Sequence, residues 1–209
     1  MNITFYDKEE KPWTFLHIPK TAGKSISAYI MQFSLNSKTL HNSSHATLKE
    51  IKELNLELGT TFAVFRNPYS RAVSLYRFLF ELDIRKVTET SKEYFNAEPD
   101  FSWHDDFIKT YGKLDFLSFC KELPWMPLGV EQYHYMPVDK YLYIENLTED
   151  FKIIQSALGV EAPLYKLNQT NNFNWQRYYT KSTQRIIAET YSKDFKLLKY
   201  SKDINNSSI

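Results

Sequence analysis

Two short segments carry residue types whose spacing suits the binding of anions. The first is Pro19-Lys20-Thr21-Ala22-Gly23-Lys24-Ser25, a loop between a strand-like run and a stretch of helical periodicity. Backbone N–H groups at a helix N-terminus lack intrahelical partners and carry partial positive charge, so they favour phosphate or sulfate oxygens. Thr21, Ala22, Gly23 and Lys24 supply such amides, Lys20 adds a full charge and Ser25 a hydroxyl donor. A Walker A loop is the nearest rival, because Gly23-Lys24-Ser25 satisfies its end. Its first glycine falls at Ile18, so the match is partial. The plainer alternative is a capped helix whose Lys20 and Lys24 are solvated charges.

The second segment is Arg66-Asn67-Pro68-Tyr69-Ser70-Arg71-Ala72-Val73-Ser74. Arg66 ends an apolar run, where an unpaired charge is unfavourable, so it needs an anion or a carboxylate nearby. Ser74 lies about two turns along the following helix, with Arg71 between them. The planar guanidinium holds two phosphate oxygens at once. The alternatives are an internal salt bridge for Arg66 and a solvated Arg71. Two anion sites, each where a strand enters a helix, point to a ligand with phosphates at both ends.

The elements that must position these segments read as alternating strands and helices. Trp13 to Ile18 and Thr61 to Phe65 are strand-like, and Ile26, Tyr29, Ile30 and Phe33 recur at helical spacing. Leu48, Ile51, Leu54 and Leu58 mark a second helix, with a Thr47/Glu50 capping box and Gly59 at its stop. Asn67 caps the next helix, Pro68 stands in its first turn, and Tyr69, Ala72, Val73, Tyr76 and Phe80 form its stripe. Residues 83–102 are polar and aperiodic, an expected loop or insertion. Helical patterns resume at Phe107, Ile108 and Tyr111, then at Leu117 and Cys120. Tyr141 to Ile144 predicts a strand leading into a helix with Phe151, Ile154 and Leu158, closed by Gly159. A final helix is expected through Ile187, Tyr191, Phe195 and Leu198, with residues 201–209 as a frayed tail. This alternation predicts an α/β fold with a mostly parallel sheet flanked by helices, and ligands beyond the carboxyl ends of its strands.

The 209 residues fit one domain, residues 1–209, and an apolar fraction of 43% excludes disorder as the default. A net charge of +1 argues against a nucleic-acid binder, so positive charge that matters is local. With Cys120 as the single cysteine, no intramolecular disulfide or cysteine-ligated zinc site forms. No apolar run approaches membrane-spanning length and Met1 to Lys8 lacks a signal-peptide core, so a cytoplasmic location is expected.

On these motifs the chain resembles the PAPS-dependent sulfotransferases, in the branch of carbohydrate and heparan-type O-sulfotransferases. PAPS is 3'-phosphoadenosine-5'-phosphosulfate. Phe15-Leu16-His17-Ile18-Pro19-Lys20-Thr21-Ala22-Gly23 is similar to the family's 5'-phosphosulfate loop. Phe62-Ala63-Val64-Phe65-Arg66-Asn67-Pro68 through Ser74 is similar to its 3'-phosphate motif, with the Arg and Ser at the family's separation. Tyr143-Ile144-Glu145-Asn146-Leu147 and Tyr191-Ser192-Lys193-Asp194-Phe195 resemble later family segments, and Lys166-Leu167-Asn168-Gln169 another near the nucleotide. Lys24 departs from the family, which has a small hydroxyl residue there. The resemblance implies a three-layer fold like that of P-loop NTPases, PAPS as donor with bisphosphoadenosine (PAP) as product, and no metal.

Sulfuryl transfer needs stabilisation of the leaving phosphate, a task for Lys20 and the loop amides, and a base for the acceptor hydroxyl. His45 directly precedes the second helix, whose N-terminus disfavours imidazolium, and the resemblance places the base there. His41, His134 and Glu145 are the alternative bases, His17 reads as a packed residue and His104 as an exposed one. Gln132 to Pro137 could instead contact the acceptor, and Trp103, Trp125 and the Trp175–Tyr179 stretch could form a sugar-stacking cleft. Two rival functions stand beside a carbohydrate sulfotransferase: a P-loop nucleotide kinase or NTPase, and a non-catalytic phosphonucleotide-binding module.

Overall fold

The computed structural model describes residues 1–40, 45–81, 102–165 and 174–206. The chain divides into two compact units, one of Met1–Arg66 with Gln132–Leu167 and the other of Asn67–Glu131 with Asn168–Ile209.

The first unit holds a five-stranded sheet of β1 (Ile3–Tyr6), β2 (Pro12–Leu16), β3 (Lys38–Thr39), β4 (Thr60–Phe65) and β5 (Lys140–Tyr143), ordered β3-β1-β2-β4-β5. β2, β4 and β5 are parallel, with Phe15 opposite Phe62 and Val64 opposite Leu142. The centre is thus parallel as expected, but β1 joins β2 and β3 antiparallel. Sequence reading missed β1, which is bounded by a turn that Asp7 builds by accepting the Glu9 and Lys11 N–H groups at 2.8 and 2.9 Å. Such an Asx turn is a local signal that the short run before it did not advertise.

Helices α1 (Gly23–Phe33) and α7 (Lys152–Leu158) bury Ile26, Tyr29, Ile30, Ile154 and Ala157 in one cluster with Ile3, Phe5, Trp13, Phe15, Phe62, Val64 and Leu142. Alternation along each strand puts these residues on one face of the sheet. Phe62 is its centre, 5.1 Å from the Phe15 ring and 6.3 Å from both Phe5 and Trp13. Gly159 closes α7 at φ 69°, the left-handed stop its sequence position predicts. The short α6 (Leu147–Asp150) links β5 to α7.

The second helix is shorter than its periodicity predicts. α2 spans Leu48–Lys52, with the Thr47/Glu50 capping box in place, and Asn55 turns the chain left-handed at φ 51°. Leu54 is consequently half out of the core, and Leu58 lies beyond the helix. Gly59 serves a different purpose from a helix stop. At φ +59° a Cβ there would stand 1.8 Å from the Pro12 carbonyl oxygen, so glycine lets β4 enter alongside β2.

The second unit is helical: α3 (Pro68–Phe80), α4 (Ser102–Tyr111), α5 (Phe116–Glu122), α8 (Lys181–Thr190) and α9 (Ser192–Leu197). Asn67 caps α3 by accepting the Tyr69 N–H, and Asp115 caps α5 through Ser118. The single final helix of the sequence reading is in fact two, broken at Tyr191, whose ψ of 29° departs from helical geometry. Its hydroxyl donates to the Gly129 carbonyl at 2.7 Å, a buried contact that periodicity alone does not reveal. Cys120 is buried, as expected, and burial pushes its thiol up to about 12. Ile204 is buried and the Lys202 carbonyl accepts from Tyr69. Residues 82–101, which hold most of the expected insertion, and residues 207–209 lie outside the described residues.

Phe62→Ala is expected to cost about 3–5 kcal/mol, because the cavity opens at the centre of the aromatic face. Urea unfolding of the two proteins checks this, and a loss under 1 kcal/mol would contradict the packing described.

Candidate functional site

β2 delivers the chain into Pro19–Lys24, and the loop turns by placing Lys20 and Ala22 at φ 68° and 65°. These are left-handed conformations that side chains rarely adopt, and two of them bracketing Thr21 concentrate strain in one turn. Alternating right- and left-handed residues aim successive N–H groups into a shared concavity, a geometry that receives anions. Thr21 is fully buried and donates its hydroxyl to the Ile18 carbonyl at 2.9 Å, so it braces the loop from within. Ala22 is the N-cap residue of α1, and Ser25 is buried in its first turn.

Gly23 is required for a reason other than φ. A Cβ there would sit 1.7 Å from Cδ2 of His17, so only glycine lets the loop close over that ring. His17 is buried, and its ring lies 4.4 Å from the ring of His45. Burial first, then nearby positive charge from Met1, His45, Lys24 and Lys20, holds the His17 pKa well below the usual histidine value.

His45 Nδ1 lies 3.1 Å from the His17 carbonyl oxygen. A carbonyl only accepts, so Nδ1 carries the hydrogen and Nε2 is the basic nitrogen of the neutral ring. The adjoining backbone is held from two sides: Tyr135 donates its hydroxyl to the His45 carbonyl at 2.7 Å, and Asn2 donates to the Ala46 carbonyl at 2.9 Å. Asn2 also accepts the His17 N–H at 2.7 Å, so one side chain ties the two histidine segments together. With α2 only five residues long, these bonds rather than a helix dipole set the ring.

Arg66 follows β4 and is half-buried. Its Nη1 donates to the Lys20 carbonyl at 3.2 Å, so Arg66 meets the first loop at this point. Gln132 holds the Arg66 main chain from both sides, accepting its N–H at 2.9 Å and donating to its C=O at 2.8 Å. Burial, and then the charges of Arg66 and Lys24, bring the Lys20 ammonium down to about 7. Desolvation lowers Lys24 as well.

Arg71 and Ser74 lie on α3 in the second unit, and both are buried. Arg71 was expected among the phosphate-binding residues or in solvent. It is not in solvent: its Nη2 donates to the Leu128 and Val130 carbonyls at 3.2 and 2.8 Å, with the guanidinium 5.9 Å from the Tyr191 ring centre. His104, expected exposed, is half-buried with Nε2 3.0 Å from the Leu79 carbonyl. His134 and Glu145 are exposed, His134 in the 3-10 turn Gln132–Tyr135 and Glu145 in the turn Ile144–Asn146. His41 and Lys166 to Gln169 lie outside the described residues. Tyr178 and Tyr179 are packed, donating to Glu81 and to the Tyr69 carbonyl, whereas Trp125 is 78% exposed. Among the described residues no group of three or more His, Cys, Asp or Glu side chains is placed to hold a metal ion. None of their helices is long and apolar enough to cross a membrane.

Sequence reasoning missed the main-chain contacts of Gln132, Tyr135 and Asn2. All three act through main-chain atoms of residues distant in sequence, and nothing in their own local pattern signals that.

The first unit thus brings together a strained strand–loop–helix turn, clustered cations with one depressed lysine, and a histidine in a fixed tautomer. A family model described as the sulfotransferase family matches residues 4–201, and the chain belongs to that family: it is a PAPS-dependent sulfotransferase. No curated protein and no solved structure matches the chain.

A lysine held near 7 when folded and near 10.5 when unfolded binds fewer protons in the folded state between those values. The unfolded state then holds the extra proton, so this group makes stability rise with pH across that window. Lys20→Met is expected to be the more stable protein below pH 7 and to show a smaller rise up to pH ~9.5. Unfolding midpoints in urea across the series test it, and parallel profiles would show that Lys20 is not held as described.

Proposed function

We propose that the protein transfers the sulfuryl group of PAPS to a carbohydrate hydroxyl, with His45 as general base. Lys20 and the amides of Thr21, Ala22, Gly23 and Lys24, with the Ser25 hydroxyl, take the 5'-phosphosulfate. Arg66 and Ser74 take the 3'-phosphate. Arg71 is assigned to the 3'-phosphate side with them, and its Nη2 also donates to the Leu128 and Val130 carbonyls. The observation that supports the reading is the 3.2 Å contact between the Arg66 guanidinium and the Lys20 carbonyl, the first residue of one motif against the loop of the other. The three-layer P-loop-like arrangement and the treatment of residues 1–209 as one catalytic domain belong to the same proposal. They are supported by the parallel β2-β4-β5 core and by a family match that runs through both units.

In this reaction the acceptor oxygen attacks sulfur as the bond from sulfur to the 5'-phosphate oxygen breaks. The acceptor proton passes to His45 Nε2, and the electron pair of the broken bond stays on the phosphate of PAP. Lys20 stabilises that developing charge, the term that commonly dominates such catalysis. An ammonium near 7 is poised for the task, because an arriving dianion raises its pKa and draws a proton onto it. Support for a carbohydrate acceptor comes from the resemblance of the motifs and from the exposed rings of Trp125 and Trp103, surfaces on which sugars stack.

Calorimetric titration with PAP, and separately with ATP and magnesium, tests the nucleotide assignment. PAP binding with proton uptake at pH 8 is expected, and binding of ATP–magnesium alone would support a kinase instead. His45→Ala should bind PAP normally yet lose about 10²–10⁴-fold in kcat with glycan acceptors. Undiminished turnover in that variant would remove His45 from the mechanism. PAP binding without transfer to any acceptor would favour a binding module.

A further inference from the structure

We propose that the 3-10 turn Gln132–Tyr135 is a two-ended brace that sets the nucleotide grip at one end and the base at the other. The inference rests on the roles given above to Arg66 and His45, and it assigns a function to residues that touch neither substrate. Gln132 and Tyr135 are positioning residues.

At one end, the Gln132 side-chain amide is fully buried and mimics a peptide unit of a neighbouring strand. β4 pairs with β5 as far as Phe65 and Tyr143. Arg66 is the next residue, and its N–H and C=O are met by Gln132 Oε1 and Nε2 at 2.9 and 2.8 Å. Both bonds form with only one orientation of the amide, so the contact is specific for glutamine. The amide thereby extends the ladder by one residue and fixes the Cα of Arg66 as a strand would. The direction of the guanidinium, with Nη1 on the Lys20 carbonyl, starts from that fixed point.

At the other end, the Tyr135 ring is 1% exposed and its hydroxyl donates to the His45 carbonyl at 2.7 Å. That bond anchors the main chain from which the imidazole projects, while His17 fixes the ring through Nδ1. Two anchors of different kinds leave the imidazole little freedom: one acts on the backbone and one on the ring. Because a 3-10 turn is short and tightly wound, its first and last residues hold a constant separation. The distance between Arg66 and His45 is therefore held by one small rigid piece, although Arg66 and His45 belong to separate segments of the chain.

The two ends should fail differently when cut. Tyr135→Phe keeps the ring and deletes the bond to His45; PAP affinity is expected within about twofold of the unaltered protein while kcat falls about tenfold. Gln132→Glu keeps the size and the acceptor for the Arg66 N–H but loses the donor to its carbonyl. It is expected to weaken PAP about tenfold and to leave kcat at saturating PAPS within about threefold. Gln132→Met, which keeps the volume and removes both bonds, serves as the second variant should the buried carboxylate prevent folding. Titration calorimetry with PAP, steady-state kinetics and thermal melting are measured on each. A general loss of packing would lower affinity, kcat and melting temperature together at either end, and that result overturns the brace, as does a fully active Tyr135→Phe beside an inactive His45→Ala. If His45→Ala keeps its turnover, or the unaltered protein fails to bind PAP, the site reading itself is wrong and the brace falls with it.

Discussion

Lys20, Lys24 and Arg66 place their positive charges close enough together to resist one another. Burial and the two neighbouring charges bring Lys20 down to about 7, so the folded chain tolerates a lysine that is only partly protonated at neutral pH. Nothing in such an arrangement favours folding. It persists because the structure around it is over-determined: a left-handed Lys20 and Ala22, a buried Thr21 hydroxyl on Ile18, and Arg66 clamped along its main chain by Gln132. Strain and like charge of this kind are maintained at sites where a ligand relieves them.

The stabilising free energy comes from elsewhere in the same unit. The aromatic face of Phe5, Trp13, Phe15 and Phe62 under α1 and α7 is removed from water almost completely. Domains keep only about 5–15 kcal/mol of net stability, so a loop that opposes folding by even a few kcal/mol needs a core of this quality behind it. The link between core and loop is short. β2 carries Phe15 in the aromatic cluster, and His17 stacks on that ring at 5.8 Å while filling the space that Gly23 leaves open. Packing of the apolar face is thus transmitted directly to the turn that opens α1.

What the sequence disclosed follows from how local each signal is. The capping box at Thr47 and Glu50, the Asn67 cap and the left-handed Gly159 depend on neighbours a few positions away, and each stands where the sequence puts it. The tight loop ahead of α1 was legible for the same reason. The length of α2 was not, because Asn55 ends it by its own left-handed turn, whereas Leu54 and Leu58 keep the helical rhythm in the letters alone. Nor was the break at Tyr191, whose hydroxyl is drawn to a carbonyl far off in the sequence. The surroundings of Arg71 were hidden in a related way. Spacing shows a guanidinium beside a phosphate motif, and only the fold reveals that it is buried with Nη2 on the Leu128 and Val130 carbonyls. Side chains that act on distant main-chain atoms, Gln132 and Tyr135 above all, leave no trace in spacing.

The same geometry separates this loop from the Walker A loop that its last three residues imitate. A Walker loop begins at a glycine so that the backbone can turn freely there and pass close to the phosphates. Here that position is Ile18, fully buried, and its carbonyl is taken by Thr21. The left-handed turns fall later, at Lys20 and Ala22, so the cradle starts further along the chain and closes sooner. Lys20 therefore belongs to the turn itself and does not project from the helix that follows. The strand ends agree with this. A nucleotide kinase wants a carboxylate at a neighbouring strand end for its magnesium, but β4 runs into Arg66, and Glu145 beyond β5 is exposed in its turn. A cation stands where the kinase would place an anion. In the proposed reading the loop supplies positive charge from its own side chains, which suits transfer of a sulfuryl group better than of a phosphoryl group shared with a metal.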